Sequence, residues 1–380
     1  MGSCPAYKIN IFGDGHATYK GISSVDVKET HSYRVSSHDL AELIEEFRRR
    51  DVWSAPEYWG MGLDGGDCLL TIDMGGSVHH PGCASSGTFA IGRKIEKVAR
   101  SEMWINLSRE TLAQLRSENF DFHSQEAGAI LSYAMANSST ADNAAIFEMI
   151  KLGAPLGETY HSANVFDQVG DSLLYSALWN HRSEVVDPLV KAGLLNTVGH
   201  PDQQKIESAF RAAIAGGDFE LVKNIWEIPG SSPHPSLTFP GYANSKARPK
   251  SPQPVILLLM PPFDRHDQWD GPEIAAWLMC MGCDIRATND RDQTLLTNAV
   301  DRSNVNFLRF LLAAGINKPT PDAERDKEIW WLVRDEEIAL MLLNASAGLP
   351  QSDQDKQAFH DKARNGKWLR VLAWLEEHGK

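Results

Sequence analysis

The chain has 380 residues, 42% of them hydrophobic and 23% charged, with a formal charge of −13 at pH 7. That composition is ordinary for a folded protein, and the length allows two or three domains or one domain with a repeat array. The acidic balance argues against a nucleic-acid surface, because phosphates would be repelled rather than neutralised.

No stretch approaches the roughly 20 apolar residues of a transmembrane helix. The longest, Val255 to Met260, is hemmed by prolines. No basic region followed by an apolar core opens the sequence, so no signal peptide is expected within it. A strand starting at Tyr7 points to a natural start further upstream, which leaves the compartment open between the cell envelope and the cytoplasm. Met1-Gly2 lacks the Ser or Thr that myristoylation expects at the sixth position, where Ala6 stands. Cys4, Cys68, Cys83, Cys280 and Cys283 are too few for a disulfide scaffold.

In chain order, Tyr7 to Ile11 alternates apolar and polar residues, Gly13-Asp14-Gly15 turns the chain, and Ala17-Thr18-Tyr19 resumes it. This pattern predicts a hairpin. Val25 to Thr30 predicts a third strand. Ser36 or Ser37 caps a helix whose apolar face is Leu40, Leu43, Ile44 and Phe47. Leu69 to Met74 and Ser77 to His80, joined by Gly75-Gly76, predict a second hairpin. Phe89 to Ala99 predicts a closing helix with Ile91, Ile95 and Val98 on one face. Hairpin, helix, hairpin, helix makes a small α+β domain over residues 1–105.

The Cys4-Pro5-x-Tyr7 opening, the Gly13-Asp14-Gly15 turn and the Pro81-Gly82-Cys83 exit resemble a family of bacterial domains of unknown function that often precede ankyrin arrays. The resemblance covers about residues 3 to 100 and implies context rather than mechanism. Because such domains often sit in the cell envelope, it makes a Cys4–Cys83 disulfide reasonable; two free thiols in a reducing cytoplasm is the equal alternative.

From Asn106 onward the pattern changes to apolar-periodic helix pairs that end in glycine. Thr294 opens one pair, a polar break falls at Asp301 to Asn304, and a second run from Val305 stops at Gly315. Neither helix is long enough to bury its own apolar face, so such a pair needs neighbours. Ser172-Leu173-Leu174-Tyr175 and Thr294-Leu295-Leu296-Thr297 resemble a drifted ankyrin signature. The same spacing separates Ser172 from Gly193 and Thr294 from Gly315, and Gly282 stands about 33 residues before Gly315, the ankyrin period. The expectation is therefore an all-α ankyrin-repeat solenoid of about seven units over residues 106–380, some of them degenerate, with Ser108 to Phe122 as an atypical cap. A proline- and serine-rich insert at 229–254 carries Lys246, Arg248 and Lys250 and no acidic residue. A loop of that length reads either as a linker or as a partner contact.

Chemistry is sparse. Gly60-x-Gly62-x-x-Gly65 has the letters of a dinucleotide fingerprint but lacks the strand before it and the helix after it. Cys280-Met281-Gly282-Cys283 is a lone CxxC, whereas a structural zinc needs four ligands. His79 and His80, ahead of Cys83, alternate along a strand and point to opposite faces. No zinc-protease, P-loop, nucleophile-elbow or kinase motif occurs. No catalytic residue, metal or cofactor is expected.

The ankyrin resemblance implies a concave face formed by finger tips and first helices. Here those positions are Gln168, Asp171, Tyr175, Trp179, Asn180 and His181, then Asp290, Arg291, Asp292, Thr297, Asn298, Asp301 and Arg302. The function expected is a non-enzymatic, monomeric protein–protein interaction module whose acidic face takes a basic protein. An immunity protein or inhibitor directed at a toxin is the leading form. An enzyme centred on the N-terminal domain, with the array recruiting substrate, and a structural cell-envelope protein are the alternatives.

Overall fold

The computed structural model describes residues 5–57, 70–81, 86–136, 142–157, 173–180, 182–197, 200–228, 235–239, 253–259, 269–289, 293–316, 329–347, 350 and 352–378. The chain divides into two compact units, Met1–His161 and Ser162–Lys380.

In the first unit, β1 (Ala6–Ile11), β2 (His16–Ser23) and β3 (Thr30–Arg34) form an antiparallel sheet in the order β1-β2-β3. Gly15 takes a φ of 82° in the turn, where Phe12 N–H donates to the His16 carbonyl. Helix α1 (Ser37–Arg49) starts at the Ser36 cap, whose hydroxyl accepts from Asp39 N–H. β4 (Ile72–Met74) and β5 (Ser77–His79) pair across Gly75 and Gly76, which both have positive φ. Helix α2 (Ser86–Val98) packs on α1 and buries Ile91 and Val98. Four helices follow: α3 (Glu102–Ile105), α4 (Arg109–Ser117), α5 (Gln125–Ala136) and α6 (Asn143–Lys151).

The third strand lies at Thr30–Arg34 rather than at the expected Val25–Thr30. Val25, Asp26 and Val27 are buried as that reading required, but their hydrogen bonds go elsewhere. Asp26 N–H donates to the Ile105 carbonyl and Val27 N–H to the Trp104 carbonyl. The stretch also lies against Gly21, where any Cβ would run into the Val27 carbonyl. The sheet core is completed by residues far along the chain. Trp104 of α3 is fully buried against Tyr19, His31 and Tyr33. The division expected after residue 105 thus falls inside this unit.

In the second unit the helices come in pairs: α7 (Leu173–Trp179) with α8 (Ser183–Lys191), and α9 (Gln203–Gly216) with α10 (Phe219–Trp226). Next come a short 3-10 turn at Val255–Leu258 and α11 (Gly271–Cys280). Then α12 (Leu295–Asp301) pairs with α13 (Val305–Ala313), α14 (Glu336–Asn344) stands behind a 3-10 turn at 329–331, and α15 (Asp353–Asn365) pairs with α16 (Leu369–His378). The second helices pack in succession, α10 on α11, α11 on α13, α13 on α14 and α14 on α16. On the other side α9 packs against α7 and the 255–258 turn. The fold is thus a small sheet region followed by mostly helical structure. Among the described residues, no helix is long and apolar enough to cross a membrane.

Several helix stops share one hydrogen-bond scheme. Gly315 N–H donates to the Leu312 carbonyl and Ile316 N–H to the Leu311 carbonyl, which is the Schellman closure. The same pair of bonds closes α6 at Gly153, α8 at Gly193 and α11 at Gly282, all with positive φ. Ser303, Ser346 and Lys367 take the same left-handed position without being glycine. The helix starts are equally local. Thr294 and Thr297 exchange bonds in a capping box, and Ser108 and Thr111 do the same at α4.

Little of the 229–254 insert falls within the described residues. Within it, residues 237–239 are tied to its C-terminal end, with Thr238 opposite Pro254, Phe239 opposite Gln253, and Val255 N–H donating to the Leu237 carbonyl.

Candidate functional site

Helix α7 buries Leu173, Leu174, Ala177 and Leu178, so its other face carries Tyr175 and Trp179 outward. One helical turn apart, the two rings stack with centroids 6.0 Å apart and planes 15° apart. Trp179 is 43% exposed. Such a ring, held by a neighbour and still open on one side, offers a large contact area with little ordering left to lose on binding. Asn180, just past the helix, is half-buried, and its N–H donates to the Ser176 carbonyl.

Asn298, Asp301 and Arg302, expected on the same kind of face of α12, are all half-buried. Burial pushes the Arg302 guanidinium below its ordinary value, while the Asp301 carboxylate pulls it back up. Thr297 is a correction: it is 2% exposed and belongs to the helix cap. Its hydroxyl accepts from Thr294 N–H at the start of that helix, as one half of the capping box. Gln168, Asp171, His181, Asp290, Arg291 and Asp292 lie outside the described residues, as do Cys4, Cys83 and the Gly60 to Gly65 turn.

The Asp301 carboxylate does not stand alone. Arg334 Nη2 lies 3.6 Å from it, and Lys362 Nζ of α15 donates to the Trp331 carbonyl at 2.7 Å. Burial first, and the Arg334 charge second, hold the Lys362 ammonium below its ordinary value. Trp331 is 53% exposed, and its inner face stacks on the buried Trp330 with centroids 4.0 Å apart. Trp331, Arg334 and Lys362 escaped the sequence reading because they come from two separate segments and share no spacing. The Trp330-Trp331 doublet was the one local signal there.

The first unit holds a second polar cluster. His31 on β3 is 5% exposed and lies flat against Trp104, with centroids 4.4 Å apart. Its Nδ1 is 2.9 Å from Glu118 Oε2, and its Nε2 is 3.7 Å from Glu126 Oε1. Burial raises the Glu126 carboxyl above its ordinary value, opposed by the His31 charge. Lys28 Nζ stands 3.7 Å over the Tyr133 ring of α5. These contacts tie the sheet to the helices. His79 and His80 make separate local bonds, His79 Nε2 with the Ala55 carbonyl and His80 Nδ1 with the Thr71 hydroxyl. Cys280 is exposed, and Cys283 is half-buried with its thiol pushed up by burial. No group of three or more metal-ligating side chains occurs among the described residues.

A model of a family described as a domain of unknown function (DUF6438) matches residues 1–83. The match covers the sheet region and stops before Trp104, which closes that region's core. No curated protein matches the chain.

Proposed function

We propose that the chain is a non-enzymatic binding protein whose helical part is an ankyrin-like solenoid engaging a basic protein partner on its first-helix face. The observation that carries this reading is the Tyr175–Trp179 pair, an exposed indole held by its neighbour at the end of a first helix. Trp and Tyr dominate the centres of protein interfaces. The recurrent pairing of short helices, the succession of second helices and the closures at Gly153, Gly193, Gly282 and Gly315 support the repeat architecture. A chain charge of −13 favours a basic partner through long-range attraction. An immunity protein or inhibitor blocking a toxin is the form of this function that best suits an acidic chain with an exposed aromatic anchor.

Affinity capture from the source organism, with the intact chain and Trp179→Ala as matched baits, tests the reading. One basic protein recovered stoichiometrically on the intact bait and lost on the variant supports it. Equal recovery on both baits, or none on either at low salt, overturns it.

A further inference from the structure

His31 stands between carboxylates carried by two different helices. Glu118 is the C-cap of α4, and Glu126 lies in the first turn of α5. Glu118 is fixed from both sides: its Oε1 accepts from Gln114 Nε2 at 2.9 Å, and its Oε2 lies 2.9 Å from His31 Nδ1. Nδ1 is therefore assigned as the ring N–H that donates to it. The other ring nitrogen, Nε2, is buried and has no hydrogen-bond partner among the described residues. What faces it is Glu126 Oε1, at 3.7 Å. With a neutral ring and an ionised Glu126, two acceptors oppose each other there. That is a costly arrangement for a side chain that is only 5% exposed.

We propose that His31 and Glu126 share one bound proton, which makes the seam between the sheet region and α5 a pH-dependent latch, closed when the proton is present and loosened when it leaves. On Nε2 the proton turns the contact into an imidazolium–carboxylate pair. On Glu126 it gives a neutral carboxyl that donates to Nε2. The surroundings support both forms. The Trp104 face, stacked on His31 with centroids 4.4 Å apart, attracts a cationic ring, and the N-terminal turn of α5 favours an anion. Burial is the leading influence on Glu126 and raises it above its ordinary 4.5; the His31 charge opposes that rise, and Glu29 and Glu118 add to it. Because the proton has two places to sit, burial moves it across the contact rather than expelling it. Lys28, just before β3, is engaged over the Tyr133 ring of α5 at 3.7 Å. In the unfolded chain His31 and Glu126 part, and each holds a proton only as a free side chain does. A proton bound more tightly in the folded chain contributes stability that is complete at low pH and is lost as the pH rises. The window opens above the ordinary Glu126 value and spans the range where histidines titrate, about pH 5 to 8.

Hydrogen–deuterium exchange of the full chain, read by mass spectrometry and corrected for the intrinsic pH dependence of exchange, tests this between about pH 5.5 and 8. Protection of α5 in the intact protein is expected to fall about threefold or more across that range, a full unit of raised proton affinity giving about tenfold. Protection of α15, in the other unit, is expected to stay level. Glu126→Gln puts an amide N–H opposite Nε2 at every pH, and Glu126 is 34% exposed, so the variant is expected to fold. Its α5 protection should be level with pH and at pH 8 should match or exceed that of the intact protein. A flat α5 profile in the intact protein would overturn the proposal, as would an equal fall in Glu126→Gln or in α15. Protection of α5 that rises with pH would also overturn it, because burial would then be expelling the proton.

Discussion

The Asp26 carboxylate accepts a hydrogen bond from Leu107 N–H at 2.7 Å, joining residues on either side of the sheet region's sequence boundary. Asp26 is fully buried, and its own N–H donates to the Ile105 carbonyl. Both bonds hold the strand-like run Val25–Val27 against the 104–107 segment instead of against a neighbouring strand. The fully buried Trp104 sits between those contacts and the rings of Tyr19 and His31. The segment matched by the family model therefore shares its core with helices that follow it.

Asp26→Ala removes the acceptor and leaves the buried Leu107 N–H without it. Charged hydrogen bonds of this kind contribute about 1.5–3 kcal/mol, and an orphaned donor adds its desolvation cost. The expected loss is at least about 2 kcal/mol, read by denaturant unfolding followed by near-ultraviolet circular dichroism of the Trp104 environment. An unchanged midpoint would mean that the sheet and the 104–107 segment are held by packing alone.

Tyr7, Tyr19 and Tyr33 should titrate late. Burial is the leading cause for all three, raising Tyr7 and Tyr33 from 10.0 to about 12 and Tyr19 further. For Tyr7 the hydrogen bond to Glu96 adds to the shift. A raised folded-state value means that the neutral phenol is favoured by folding. The stability it contributes is complete below pH 10 and is lost as the pH rises toward 12. Phenolate absorbance should show three tyrosines ionising well above pH 10, together with alkaline unfolding. Full ionisation of Tyr7, Tyr19 and Tyr33 by about pH 10, with the fold intact, would contradict the burial of this cluster.

Two glycines with similar backbone angles should respond differently to alanine. Gly217 has a φ of 79° and Gly315 one of 83°. A Cβ on Gly217 would lie only 1.9 Å from Trp269 Cδ1, whereas one on Gly315 meets nothing within 4 Å. Gly315→Ala is therefore expected to cost only the left-handed penalty, about 1–2 kcal/mol. Gly217→Ala adds overpacking of about 1–3 kcal/mol against a residue that itself packs edge-on against Phe307 at 4.9 Å. Melting temperatures of the two variants measured side by side decide it; equal losses would place Trp269 away from Gly217.

Local signals were the legible ones. Ser36 as a cap, the Gly13–Gly15 turn, the Gly75-Gly76 turn and the stop at Gly315 depend on residues a few positions apart, and each stands where the sequence puts it. Val25–Val27 misled because burial and alternation look the same whether a segment pairs with a strand or with the chain around Trp104. Thr297 misled for a different reason: its position on a first helix suggested an outward side chain, but Thr294 three residues earlier draws its hydroxyl into a cap. Trp331, Arg334 and Lys362 depend on how two segments of chain meet. No periodicity in one segment carries that information.

The measurement that bears most directly on the binding reading is calorimetric titration of the captured basic partner into the intact chain and into Trp179→Ala. Truncating an aromatic at an interface centre costs more than about 2 kcal/mol. The account predicts a loss of that size with nearly unchanged melting, because the Trp179 ring is 43% exposed and Tyr175 remains to cover α7. Full affinity retained by Trp179→Ala would contradict it and place the partner's contact elsewhere on the chain.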